Sequence, residues 1–90
     1  MILYTYKNHI PFQIDDSDYE AVSYYSWCIV GVYPATNIRK HCNGIWVRYR
    51  TLYLFNFLLG KAPENMQWDH IDRDGLNNQR HNIRIATPSL

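Results

Sequence analysis

The stretch WDHIDRDGLNNQRHNIRIAT, residues 68–87, decides how this sequence is interpreted. Residues 66–71 predict a strand. Near its end stand Asp69 and His70, two polar side chains that can take part in catalysis or metal binding. Asp-Gly and Asn-Asn pairs then mark a loop over 72–79. Residues 82–87 alternate apolar and polar side chains, which predicts a second strand. We therefore expect a β-hairpin that carries a carboxylate and an imidazole at the end of its first strand.

The residues before this stretch predict short strands and two short helices. The predicted strands cover 3–6, 12–14, 27–33, 38–41 and 45–50, with a break at 34–37 and a hairpin turn at Asn43-Gly44. One helix begins near Ser17, where Glu20 completes a capping box, and runs to about Tyr25. The other covers 52–59 and is ended by Gly60. This order predicts an α+β fold, a small antiparallel β-sheet with short helices.

Length and composition exclude several classes of protein. Ninety residues with 47% hydrophobic side chains form a single globular domain rather than a disordered chain. The longest apolar run is far shorter than the roughly 20 residues of a membrane span, and the first residues do not form a signal peptide. Two cysteines do not make a disulfide scaffold, which favours a reducing, cytoplasmic setting.

Charge is distributed unevenly along the chain. Residues 23–60 contain four basic side chains and no acidic one, so the middle of the chain is a candidate surface for an anion. The whole chain also has eight tyrosines and three tryptophans, and this mixture of aromatic and basic side chains suits nucleic acid, although the aromatics also pack a small β-rich core. The candidate nucleic-acid contacts are Arg39, Lys40, Arg48 and Arg50 in the middle, and Arg73, Arg80 and Arg84 around the C-terminal loop.

The C-terminal stretch resembles the core of phage-type HNH endonucleases. Members of that family have the pattern D-H-I-N/D-G-N/D-x-L-x-N-x-x-x-N-L-R, and Asp69, His70 and Asn82 have the same spacing here. Residues 14–20, Trp27 and the apolar helix are more loosely similar to the N-terminal part of compact HNH proteins. The resemblance implies a ββα-metal (HNH-like) hairpin at 61–90 and a β-rich, DNA-contacting part at 1–60, both within one compact domain.

The resemblance also implies a role for each signature residue. Asp69 would be a ligand of a divalent cation, Mg²⁺ or alternatively Mn²⁺, because hard cations take oxygen donors. His70 would be the general base that activates water for attack on phosphorus, since an imidazole titrates near working pH. Asn82 would hold the loop and orient the imidazole through its amide.

Two departures from the family pattern bear on function. The third signature residue, His or Asn on the final helix, would fall about nine positions after Asn82, one position past Leu90. We therefore expect the final helix of the finger to be truncated in this sequence. The apolar helix has Asn56-Phe57 where the family usually has His-Arg, which removes a basic DNA contact. Both departures bear on cutting more than on the fold or on DNA binding, and we therefore expect an HNH endonuclease whose activity in this chain is impaired or absent.

Three functions from different classes are compatible with these observations. The first is an HNH-type metal-dependent DNA endonuclease, or a truncated form of it, in the cytoplasm of a phage-infected bacterium. The second is a non-catalytic HNH-derived binding protein, such as a phage inhibitor that docks on a host protein. The third is a plain DNA-binding module whose basic middle docks on phosphates, with an affinity that falls steeply with salt.

Overall fold

The computed structural model describes residues 1–88 and shows an α+β fold with three small antiparallel sheets and short helices. The strands are β1 (Ile2–Tyr4), β2 (Pro11–Gln13), β3 (Cys28–Val30), β4 (Tyr33–Cys42), β5 (Ile45–Tyr53), β6 (Gln67–His70) and β7 (Ile83–Ala86). The helices are α1 (Tyr19–Ser23) and α2 (Leu54–Leu59), and 3-10 turns cover Asp16–Asp18 and Arg80–Asn82. The sheets pair β1 with β2, β3 with β4 and β5, and β6 with β7.

The hydrophobic core lies between β2, α1 and α2. Its buried members are Phe12, Ile14, Val22, Trp27 and Leu54. The indole of Trp27 donates a hydrogen bond of 2.8 Å to the carbonyl of Val22. That carbonyl also accepts the backbone N–H of Tyr25, so α1 ends earlier than the predicted helix. The short helix thus brings Trp27 into the core and fixes the start of β3.

The central sheet differs from the prediction at 34–37, which lies inside β4 rather than in a break. Pro34 is tolerated there because it pairs only with Ile29 of β3, and the pairing of β4 with β5 begins at Ala35. The hairpin turn predicted at Asn43-Gly44 is present, with positive φ angles of 50° and 81°. Beyond the core β4 and β5 pair only with each other, and every residue from 39 to 50 is exposed. We call residues 39–50 the ribbon.

Helix α2 is shorter than the predicted helix over 52–59. Leu52 and Tyr53 pair with Thr36 and Ala35 and extend β5, so the helix begins only at Leu54. It ends at Gly60, whose φ is 80°, a conformation that favours glycine. Phe57, at one of the positions that depart from the family pattern, packs its ring 5.5 Å from that of Trp27. In this chain Phe57 therefore packs against the core.

The C-terminal hairpin β6–β7 is joined to the N-terminal part by backbone hydrogen bonds. Gln13 donates its N–H to the carbonyl of Leu76 at 2.7 Å, and its carbonyl accepts the N–H of Asn78 at 2.8 Å. The loop between β6 and β7 is therefore attached to the end of β2 at residues 76–78. Thr87 and Pro88 follow β7 without regular structure, and the predicted final helix lies outside the described residues. No helix within residues 1–88 is long and apolar enough to cross a membrane.

Candidate active site

His70 is the last residue of β6 and is almost fully enclosed. Its exposed fraction is 6%. The imidazole lies against the ring of Tyr33 with centroids 5.5 Å apart and planes at 25°, and the ring of Phe55 meets it edge-on at 5.9 Å. Tyr33 is the first residue of β4 and Phe55 belongs to α2, so the central sheet and the second helix both hold the imidazole in place.

One nitrogen of the His70 ring is committed to Asn78. The distance from Nε2 to Asn78 Oδ1 is 3.0 Å, and Asn78 is fully buried. The amide nitrogen of Asn78 donates to the carbonyl of Gly75 at 3.0 Å, which requires Oδ1 to face the ring. Because Oδ1 can only accept, Nε2 must carry a proton. In the neutral ring the lone pair is then on Nδ1, which is the atom able to accept a proton.

Asn82 ties the loop to the start of β7. Its amide nitrogen donates to Asp72 Oδ1 at 2.8 Å and to the carbonyl of Asn77 at 2.9 Å. Its amide oxygen accepts the backbone N–H of Asp72 at 3.1 Å. All three bonds go to the loop, as a loop-holding role requires. The expected contact between the Asn82 amide and the imidazole is made by Asn78 instead.

Asp72 is the acceptor at the centre of this loop. Asn77 donates its side-chain amide to Oδ2 at 2.9 Å, and the backbone N–H of Asp74 reaches Oδ1 at 2.9 Å. The hydrogen bond from Asn77, then that from Asn82, then that from Asp74 lower the pKa of Asp72 to about 2. The carboxylate is therefore ionised at neutral pH, with its oxygens occupied by the loop.

Asp69 faces away from His70. Successive side chains of a strand point to opposite faces, and Asp69 lies opposite Arg84 of β7, which donates from Nε to Oδ2 at 3.2 Å. The Asp69 side chain is 39% exposed. No cluster of three or more His, Cys, Asp or Glu side chains that could hold a metal occurs within residues 1–88. Asp69 thus offers one accessible carboxylate, the minimum for a Mg²⁺ ion that takes its other ligands from water and a phosphate.

The basic residues singled out in the sequence fall into two groups. Arg80 and Arg84 are ion-paired within the chain, with Asp18 at 2.8 Å and with Asp69 at 3.2 Å. The hydrogen bonds from Arg80 to the Asp18 carboxylate raise the pKa of Arg80. Arg73 stands in the exposed loop with a φ of 62°. The others, Arg39, Lys40, Arg48 and Arg50, are exposed on the ribbon.

Two residues of the site were not identified as site residues from the sequence, namely Asn78 and Asp72. The Asn-Asn pair that contains Asn78 indicates a turn, and a turn asparagine usually bonds its own loop. Only the approach of β6 to the loop, made by folding, shows that one of the two amides reaches an imidazole. Comparisons of the chain with protein-family models, with curated proteins and with solved structures gave no match.

Proposed function

We propose that this protein hydrolyses phosphodiester bonds in DNA with His70 as the general base. The observation that carries the proposal is the hydrogen-bonded series from His70 through Asn78 to Gly75, which leaves Nδ1 as the basic atom of a rigidly held ring. A general base is effective only when its lone pair is fixed toward the proton that it takes.

The reaction would proceed by attack of water on phosphorus. Nδ1 of His70 would take one proton from the water, the oxygen would form a bond to phosphorus, and the bond to one bridging ester oxygen would break. That oxygen would leave with the bonding electron pair and take a proton from solvent. The His70 side chain is enclosed on two sides by Tyr33 and Phe55, so the ring would keep its direction while the charge on it changes.

A divalent cation completes the proposal. Mg²⁺, or Mn²⁺ in its place, would neutralise charge on the phosphate when bound. Asp69 is the exposed carboxylate of β6 that would hold it, from the face of the strand opposite to His70. Arg84 beside Asp69 would supply a second positive group near the same phosphate. The site would then depend on the nucleic acid for further ligands, so metal and DNA would bind together.

A second candidate is a nucleic-acid-binding protein without catalysis. Two observations favour it: the 6% exposed fraction of His70 and the ion pair that already occupies Asp69. In that case the hydrogen bonds around Asn82 and Asp72 would shape a binding surface, and the positive charge of the ribbon would supply the affinity. This candidate retains DNA as the partner and removes only the chemical step.

Nicking of supercoiled plasmid separates the two candidates. We expect wild-type protein with Mg²⁺ or Mn²⁺ to convert supercoiled plasmid to the open-circular form, and His70→Ala to lose this activity. His81→Ala is the matched control, because His81 is an exposed histidine near the same hairpin. Binding of the plasmid without any nicking, by wild-type protein in either metal, would reject the nuclease and leave the binding protein.

A further inference from the structure

One face of the paired strands β4 and β5 runs from the His70 site to the tip of the ribbon. Side chains alternate along β4, so Tyr33, Asn37, Arg39 and His41 lie on the same face. Tyr33 stacks on His70 at the inner end of this face. Pairing with β5 places Thr51, Arg48 and Trp46 opposite Asn37, Arg39 and His41 respectively. We call the side chains of Asn37, Arg39, His41, Trp46, Arg48 and Thr51 the front face.

A bulge in β5 places Arg50 on the opposite face from Arg48, and alternation along β4 places Lys40 on that same opposite face. Ile38 pairs with Arg50, whereas Arg39 pairs with Arg48, so Tyr49 is the extra residue. The ammonium of Lys40 lies 5.6 Å from the centroid of the Tyr49 ring. Lys40 and Arg50 therefore belong to the back face. The ribbon thus has two cations on each face, which provides an internal control.

The front face holds an arrangement that folding alone does not favour. Arg39 and Arg48 are directly opposite each other, and like charges at such positions destabilise a sheet. Neither guanidinium is in an ion pair with any carboxylate among residues 1–88, and the sequence has no acidic residue between Glu20 and Glu64. An anion that lies between or beside the two guanidiniums would relieve this repulsion.

Aromatic side chains stand next to this pair at the tip of the ribbon. The rings of His41 and Trp46 are 5.0 Å apart on the front face, and Trp46 is 66% exposed. A large exposed aromatic beside cations matches the groups that contact sugars, bases and phosphates. The ribbon is two strands wide, and a two-stranded β-ribbon fits into the major groove of B-DNA.

We propose that the ribbon lies along a groove of duplex DNA with its front face toward the DNA, and that this contact positions the phosphodiester at His70. The positioning part rests on the proposed nuclease function, whereas the binding part does not. Arg39 follows Tyr33 by six residues, which is a distance of about 20 Å along a strand. The arginine pair would therefore contact DNA about 20 Å from the bond at His70.

The test compares two double variants that remove equal charge from the two faces. Binding of the intact chain to a fluorescein-labelled duplex is measured by anisotropy over a range of salt, in EDTA, so that no cutting occurs. The front-face variant is Arg39→Ala with Arg48→Ala, and the control is Lys40→Ala with Arg50→Ala. Thermal unfolding of both variants is followed in parallel, because the front-face variant removes a repulsive pair and should unfold no lower than wild type.

We expect the front-face variant to bind at least about tenfold more weakly than wild type. The negative slope of log association constant against log salt concentration should become shallower by about two. The control should weaken binding by less than about threefold. Equal losses in the two variants would overturn the proposal, since they would indicate a general charge effect. Tighter binding to the single strand than to the duplex would also overturn it. If wild-type protein does not nick plasmid but the two double variants differ in binding as expected, the nuclease function is rejected and the ribbon remains a DNA-binding surface.

Discussion

The carboxylate of Asp18 receives two hydrogen bonds from the guanidinium of Arg80, at 3.0 and 2.8 Å, and so joins two parts of the chain that are 62 positions apart. Asp18 is 8% exposed, and the backbone N–H of Arg80 also donates to Asp15. Arg80 begins the 3-10 turn that contains Asn82. The paired contact therefore fixes the turn from which Asn82 reaches the loop.

Arg80→Ala should destabilise the protein by about 2 kcal/mol. Removal of one partner of a buried pair costs about 3–5 kcal/mol because the other charge is left unpaired, and the 47% exposed Arg80 side chain reduces that cost. For a domain of this size the midpoint of thermal unfolding should fall by about 10 °C. Lys61→Ala, the loss of an exposed base outside any ion pair within residues 1–88, is the control. An equal small shift in both variants would show that the pair contributes nothing.

Asn78→Ala should lower kcat and leave KM nearly unchanged. The variant removes the acceptor that fixes the proton on Nε2 of His70, so the basic nitrogen is no longer directed; misplacement of this kind costs roughly a hundredfold in rate. Nitrogen NMR of the imidazole tests the same point without activity. Wild type should show the Nε2–H tautomer and the variant a mixture of tautomers, and a wild-type ring already in the Nδ1–H form would contradict the assignment.

Asp72→Asn should reduce the fall in the free energy of unfolding that occurs as the pH is lowered. The pKa of Asp72 in the folded protein is about 2, below its usual value of 3.8, because Asn77, Asn82 and Asp74 donate to the carboxylate. A lowered folded pKa means that the stabilisation is complete above pH 4–5 and is lost as the pH falls through 3.8 toward 2. Urea unfolding of wild type and variant at pH 7, 5, 3 and 2 measures this. Glu64→Gln, at an exposed position, should keep the wild-type slope, and a wild-type slope in Asp72→Asn would refute the prediction.

Gly75→Ala should be costly although the backbone there needs no positive φ. A methyl group at this position would lie 2.5 Å from the carbonyl oxygen of Val32 and 2.7 Å from the ring of Tyr33. Overpacking of this kind costs about 1–3 kcal/mol. Displacement of Tyr33 would also loosen the stack on His70. The midpoint of thermal unfolding should fall well below that of wild type. Gly44→Ala serves as the comparison, since it meets no atom within 4 Å and only its φ of 81° is strained.

The sequence was sufficient to predict the C-terminal hairpin and the turn at Asn43-Gly44, because both depend on local signals. Alternating polarity and turn-forming residues act over a few positions, and β6, β7 and the tip of the ribbon follow them. The extension of β4 through Pro34 was not predictable in this way. It depends on the pairing of Tyr33 and Pro34 with β3, a tertiary relationship that overrides the local preference of proline.

The candidate site was predictable as a set of residue types but not as a geometry. Asp69 and His70 are adjacent in sequence, yet strand alternation directs them to opposite faces, and Arg84 becomes the neighbour of Asp69. Which asparagine reaches the imidazole depends on how the loop is held by β2, through Gln13 and Leu76. Asp72 and Asn78 occupy fixed positions of the quoted family pattern, but the pattern does not give the partner of either side chain.

The most direct measurement of the central claim is the rate of plasmid nicking by wild type and by His70→Ala in Mg²⁺ and in Mn²⁺. If His70 is the general base, the variant should be slower by at least about a hundredfold while it still binds DNA with wild-type affinity. Nicking by His70→Ala at the wild-type rate would show that the imidazole takes no part in the chemistry, and the assignment of the site would be contradicted.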